Sequence, residues 1–357
     1  MFGTNRYPRW ARLHYGRVAF DLASSGIPSA DLRELGVSPP SLDDASAYEA
    51  LRGSIAHYND VPAAEVAPAL GTTQALFLAY AALLSPGDEV LVEHPGYEPL
   101  YRAADGLGAV VRTFDRPEAE GFVVDPDRVA AMVTPRTRAI VVTNLHNPSG
   151  VRTADATLVE LARIADARGA WLIVNEVYGA FDALADDGVF RSTARNLAPN
   201  IIAVGSLTKA YGLGPHRIGW ALAPEAAVDL IDNAMISTCG HLPVSHANLG
   251  VFALGAIPRL SQRARVLYAG KRALAEAWIR SFPRARWSEP REGLFGFVSL
   301  QEKEELLPKI EALREESGVL VGAGTFFGVP NGFRLSWATL PASKFEEGLS
   351  LLEPLVR

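Results

Sequence analysis

Cysteine is nearly absent from this chain of 357 residues: Cys239 stands alone. A single thiol excludes an intramolecular disulfide framework and a cysteine-rich metal site, and it fits a reducing compartment, by default the cytosol. The 7 histidines, at 14, 57, 94, 146, 216, 241 and 246, show no ligand spacing on a helix, and Cys239 near His241 has no further ligand, so no metal is expected. No long basic run accompanies the net charge of −6, which removes the electrostatic footprint of nucleic-acid or anionic-membrane binding. The longest apolar run, Ala75 to Leu84, is far short of the ~20 residues of a spanning helix, and Met1 to Trp10 hold no apolar core of signal-peptide length. Neither secretion nor membrane insertion is expected. There is no Gly-x-Ser-x-Gly elbow of a serine hydrolase, and Gly212-Leu213-Gly214 lacks the third glycine of a dinucleotide fingerprint.

What is present is enough apolar sequence, 48%, to bury a large core, at a length that suggests roughly two domains. From Asp88 to about Trp220, short β-branched runs recur at Glu89–Val92, Ala109–Arg112, Ala139–Val142, Trp171–Val174 and Ile201–Val204. Helical spacing separates several of them, as in Leu158–Ala165. The alternation predicts an α/β fold: a mostly parallel, mixed sheet between two helix layers, with functional residues at strand C-terminal ends. Beyond about Ile257 the pattern changes to a charged helix (Arg259–Ile279), a strand (Leu294–Leu300), a charged helix (Glu302–Glu316), a strand (Phe333–Trp337) and a helix from Ser343. This predicts a smaller α+β domain.

Lys209 is the most informative residue. It follows the strand run ending at Val204 and Gly205 and sits among Ser206, Thr208, Gly212 and Gly214, with Arg217 eight positions later. An amine, hydroxyls and a guanidinium can there converge on one anion, and a lysine with a depressed pKa can form a Schiff base with an aldehyde. Gly71-Thr72-Thr73-Gln74 precedes the apolar helix Ala75–Leu84, so N–H groups, two hydroxyls and the positive helix end face one point; a plain N-cap is the simpler account of the same residues. Asn147-Pro148-Ser149-Gly150 and Asn175-Glu176-Val177-Tyr178 follow neighbouring strands at the same sheet rim. His146 reads as a turn histidine.

In order, the Gly-Thr-Thr-Gln loop, Pro95-Gly96-Tyr97, Asn147-Pro148-Ser149-Gly150, the Glu-Val-Tyr strand end, Ser-Leu-Thr-Lys with its arginine, and Phe333-Arg334-Leu335-Ser336 resemble the class I/II aminotransferases of fold type I, which use pyridoxal 5′-phosphate. The resemblance runs over nearly the whole chain. It implies an N-terminal arm (1–40) joining the small domain, a large cofactor-binding domain (41–256) and a small C-terminal domain (257–357). It implies that Lys209 carries the cofactor as a Schiff base and moves the substrate Cα proton. Thr72, Thr73, Ser206 and Arg217 would bind the phosphate, Tyr97 would stack on the ring, and Asn147 and Tyr178 would hydrogen-bond its phenolic oxygen. Arg334 would clamp the substrate carboxylate, and Gly26 matches the N-terminal segment that closes over substrate. A homodimer is implied, acting on an amino acid and a 2-oxo acid.

Two features depart from the family pattern. Asn175 stands where the family has an aspartate that keeps the pyridine nitrogen protonated; an amide can hydrogen-bond that nitrogen but supplies no charge. Glu176 does not replace it, because adjacent strand side chains point to opposite faces. The run Pro40–Tyr48 offers no tyrosine in the register that crosses the dimer interface in many members. A cyclase, a lyase or a weakly active relative on the same scaffold is therefore the alternative, and Asp21-Leu22-Ala23-Ser24-Ser25-Gly26 is somewhat like the segment in enzymes that make cyclised arginine derivatives. A transcription-factor relative is disfavoured by the lack of a helix-turn-helix or basic arm.

Overall fold

Alternate residues of the central strands pack into two different cores, which is how a sheet covered on both faces is built. Val90, Val92, Ala139, Val141 and Ile173 belong to one cluster, and Leu91, Ile140, Val142, Leu172 and Val174 to the other. The computed structural model describes residues 2–31, 46–183, 193–291 and 293–357. The expected boundary at 40/41 and the segment 40–45 lie outside the described residues.

The strands are β1 Phe20–Asp21, β2 Val66–Leu70, β3 Glu89–His94, β4 Val110–Asp115, β5 Thr137–Thr143, β6 Trp171–Asn175, β7 Ile201–Ser206, β8 Ile218–Leu222, β9 Ala285–Trp287, β10 Phe295–Leu300, β11 Val319–Leu320, β12 Gly322–Ala323 and β13 Gly332–Ser336. The large sheet has the order β2-β8-β7-β6-β5-β3-β4. β4, β3, β5, β6 and β7 are mutually parallel, and β8 runs antiparallel to both β7 and β2. It is the mostly parallel, mixed sheet flanked by helices that the sequence predicts. Two strands of this sheet are not predicted from the sequence: β2, which holds Pro68, and β8, which follows the Lys209 loop with only the 3₁₀ turn Gly214–His216 between them.

The second sheet is antiparallel, β12-β13-β10-β9, and its core collects Phe297, Phe333, Leu335 and Phe345 together with Tyr7, Leu22 and Ala23 from the N-terminal segment. β1 pairs with β11, which ties that segment to this sheet's side of the molecule. Ile257, Leu260 and Ala264 pack with the large sheet's core, whereas Ala275 and Ile279 pack with the small one. The single helix expected over Arg259–Ile279 is two, Ile257–Tyr268 and Lys271–Arg280, because Gly270 adopts φ +73 between them. The helix expected from Glu302 begins at Leu307, where Pro308 occupies the first turn. No helix among the described residues is long and apolar enough to cross a membrane.

Candidate active site

The helix Gly71–Leu83 starts without a side-chain cap, so its first N–H groups keep their hydrogen-bonding capacity. Arg217 approaches this end so closely that a Cβ on Gly71 would lie 2.4 Å from its Nη2. Gly71 (φ +77) and Arg217 (φ +57) both sit in the left-handed region, which lets the two loops turn onto each other. Beneath them runs a hydroxyl chain: Thr72 Oγ1 donates to Ser206 Oγ at 2.9 Å, and Ser206 shares a hydrogen with Thr208 at 2.8 Å. Burial and nearby Arg12 hold the Arg217 guanidinium below its ordinary pKa, opposed by Tyr97. An uncapped helix N-terminus, an arginine and hydroxyls at one point offer the donors that an anion would need. Thr73, at the same turn, is exposed at its mouth.

Lys209 lies in the loop after β7, half-buried. Burial, then the fields of Arg334 and Arg217, push its amine from 10.5 down to about 8. Ile27 N–H donates to the Lys209 carbonyl at 3.1 Å, and a Cβ on Gly26 would lie 3.2 Å from Lys209 Cδ. The absence of a side chain at Gly26 therefore lets the N-terminal segment lie directly on the lysine.

The ends of β5 and β6 bring further polar groups to the same place, since Thr143 and Asn175 are paired in register. Asn175 Oδ1 accepts the Val177 N–H at 3.2 Å. Glu176 points the other way, accepting from Thr193 Oγ1 at 2.6 Å and Ala194 N–H at 2.7 Å, so it adds no charge beside Asn175. Tyr178 packs edge-on to Phe295 at 4.9 Å, and burial raises its phenol to about 12 against the pull of Arg334. Tyr97 precedes the helix Glu98–Gly106, its hydroxyl raised by burial and by Tyr7 and Tyr178. His146 is wholly buried: Nε2 donates to the Pro95 carbonyl at 2.8 Å, leaving Nδ1 to accept from Ser149 Oγ at 2.6 Å. It is the lock of a turn.

Arg334, on β13, is fully buried. Nη1 donates to Asn147 Oδ1 at 2.7 Å; Nη2 donates to Tyr7 Oη at 2.6 Å, Ala23 O at 2.7 Å and Tyr15 Oη at 3.1 Å. Nε has no partner, and no carboxylate neutralises the guanidinium among the described residues. Burial opposes its charge, but Tyr7, Tyr15 and Tyr178 outweigh it and the pKa is raised. Sequence reasoning missed Tyr7 and Tyr15, whose contacts with Arg334 span more than 300 positions; it placed Thr208 beside Lys209 but gave it no role.

A cavity of about 1360 Å³ joins these groups: Thr72, Thr73, Tyr97, Asn147, Asn175, Tyr178, Lys209 and Arg217 line it. Ser206 lies behind Thr72, Gly26 behind Lys209, and Arg334 behind Asn147 and the two tyrosines. Arg9, Arg12, Arg17 and Arg102 also face the cavity, and among the described residues no Asp or Glu does. An anion site beside an amine of lowered pKa, with amide and phenol groups across from it, fits a phosphorylated aldehyde cofactor.

The family described as aminotransferase class I and II matches residues 43–352. The chain is 31% identical over 272 residues to arginine–pyruvate transaminase AruH of Pseudomonas aeruginosa, covering 75% of this chain and 68% of that one. It is 28% identical over 367 residues to capreomycidine synthase of Streptomyces vinaceus, covering 96% and 91% respectively. A solved PLP-dependent aminotransferase from Streptococcus suis superposes with a TM-score of 0.89 at 25% identity, covering 100% of this chain and 98% of the other.

Proposed function

The chain belongs to the aminotransferase class I and II family, whose cofactor is pyridoxal 5′-phosphate, and from that premise we propose that it moves an amino group between an α-amino acid and a 2-oxo acid. The observation that carries the proposal is Lys209: an amine lowered to about 8, lining the cavity with Arg217 and within the field of the buried Arg334. When bound, the cofactor supplies a carbonyl for the lysine and a ring that withdraws electrons from the substrate Cα.

The chain's own residues do the rest. Arg217, Thr72 and Ser206, with the N–H groups that open the helix Gly71–Leu83, hold the phosphate, and Thr73 closes the mouth. Tyr97 covers the ring, while Asn147 and Tyr178 hydrogen-bond its phenolic oxygen. With a pKa of about 8, Lys209 is near the optimum for taking and returning a proton at neutral pH. Arg334, whose Nε is unpartnered, receives the substrate carboxylate, and the segment at Gly26 closes over it. In this reading the enzyme is a cytosolic homodimer, with arm 1–40, cofactor domain 41–256 and small domain 257–357, and without nucleic-acid or membrane partners.

A second reading, a lyase or cyclase, is supported by the likeness to capreomycidine synthase across nearly the whole chain and by the neutral Asn175. The charge of the described lining weighs against a guanidinium-bearing substrate, because among the described residues an arginine-like side chain would meet arginines and no carboxylate. A panel of amino donors given to the cofactor-loaded protein distinguishes the two. Transfer yields one 2-oxo acid per cofactor consumed and is lost in Lys209→Ala; a lyase or cyclase consumes donor without that stoichiometry. An absence of spectral response to every donor would overturn both.

A further inference from the structure

The amide of Asn175 has a fixed orientation. The residue ends β6 between Thr143 of β5 and Val204 of β7, is 4% exposed, and lines the cavity. Its Oδ1 accepts from the N–H two residues on, at Val177. Turning the amide over would set its NH₂ group against that N–H, two donors with no acceptor between them. The hydrogen bond thus leaves Nδ2 as the end of the side chain available to the cavity, and Nδ2 has no acceptor among the described residues.

No described residue that lines the cavity reverses this polarity. The Glu176 carboxyl is spent on Thr193 and Ala194, and the described lining holds cationic side chains without an acidic one. A ring nitrogen set against Asn175 meets an N–H donor in a positive field. A protonated nitrogen would bring a second donor and another positive charge; a bare one accepts. Resting on the cofactor reading above, we infer that Asn175 holds the ring nitrogen of pyridoxal 5′-phosphate as an unprotonated hydrogen-bond acceptor. The ring is then a weaker electron sink than one supported by a carboxylate, and proton movement at Cα depends more heavily on Lys209.

The test loads the full chain with cofactor labelled with nitrogen-15 in the ring and records its NMR shift. The expected resonance lies at the neutral-pyridine end of the range through neutral pH. Asn175→Asp, whose Oδ1 can keep the Val177 bond while its other oxygen brings charge, is expected to move it toward pyridinium; Asn175→Ala, which removes the donor, moves it further toward free pyridine. A pyridinium shift in the parent overturns the inference and leaves the cofactor reading standing. A neutral shift unaffected by either substitution also overturns it, because Asn175 would then not face the nitrogen. If borohydride reduction followed by peptide mass spectrometry finds no cofactor on Lys209, both readings fall. The parent's shift needs no variant, so a misfolded substitution leaves the inference open to refutation.

Discussion

The phenolic oxygen of Tyr7 lies 2.6 Å from Nη2 of Arg334, joining the helix Arg6–His14 to the middle of β13. Tyr15 adds a second phenol to the same nitrogen at 3.1 Å. Hydrogen bonds to a charged group contribute roughly 1.5–3 kcal/mol. Tyr7→Phe keeps the ring against Phe327 but removes the acceptor, and is expected to lower stability by about 2 kcal/mol. Urea unfolding with an unchanged slope reads this as a lower midpoint. A change within ~0.5 kcal/mol, the range of ordinary surface substitutions, would mean that Tyr15 and Ala23 suffice to hold the guanidinium.

Gly71→Ala tests the anion site from its most crowded point. The new Cβ would meet Arg217 Nη2 at 2.4 Å and Cζ at 2.9 Å, at a residue whose φ is +77. The strained backbone is expected to cost roughly 1–3 kcal/mol of stability. The displaced guanidinium should weaken cofactor binding by about tenfold or more, equivalent to ~1.4 kcal/mol. Equilibrium dialysis with pyridoxal 5′-phosphate measures the second effect separately. Unchanged affinity would remove Arg217 from the phosphate site.

The large sheet was legible because its central strands are β-branched runs buried on both faces, and Lys209 and Arg217 because their loop places unusual groups close together in sequence. β2 and β8 were harder to read, since Pro68 interrupts one and the other continues out of the lysine loop. The merged helix over Arg259–Ile279 carried its own signal at Gly270, which three- and four-residue spacing on either side concealed. The tyrosines on Arg334 left none. They depend on how the N-terminal segment follows β1 along β11, a contact between chain ends that local periodicity does not encode.

Glu176 gives the protein a stability that falls with rising pH in the mildly acidic range. Burial raises its carboxyl from 4.5 to about 7, even though Thr193 and Ala194 donate to it. Between those values the folded state holds a proton that the unfolded chain has released, so stability is fully present below the lower value and is lost as pH rises through the upper one. Glu176→Gln should flatten the dependence of Tm on pH across this window. An identical slope in the variant would show that the carboxylate is already ionised in the folded protein.

Lys209 produces the opposite dependence in alkali. Its folded pKa, about 8, lies below the ordinary 10.5, so between these values the unfolded chain binds the extra proton and stability rises with pH. Below the folded value the buried charge weighs on the cofactor-free protein in full. Lys209→Met should therefore stabilise that form at neutral pH, with a gain that shrinks as pH approaches 10.5, while abolishing amino transfer. Lys271 is also lowered to about 8 and titrates in the same window, so the quantity to follow is the difference between parent and Lys209→Met, in which the Lys271 contribution cancels. A difference independent of pH would mean that the Lys209 amine keeps its ordinary value in the fold, and would remove the free-base fraction that the proposed proton transfer at neutral pH requires.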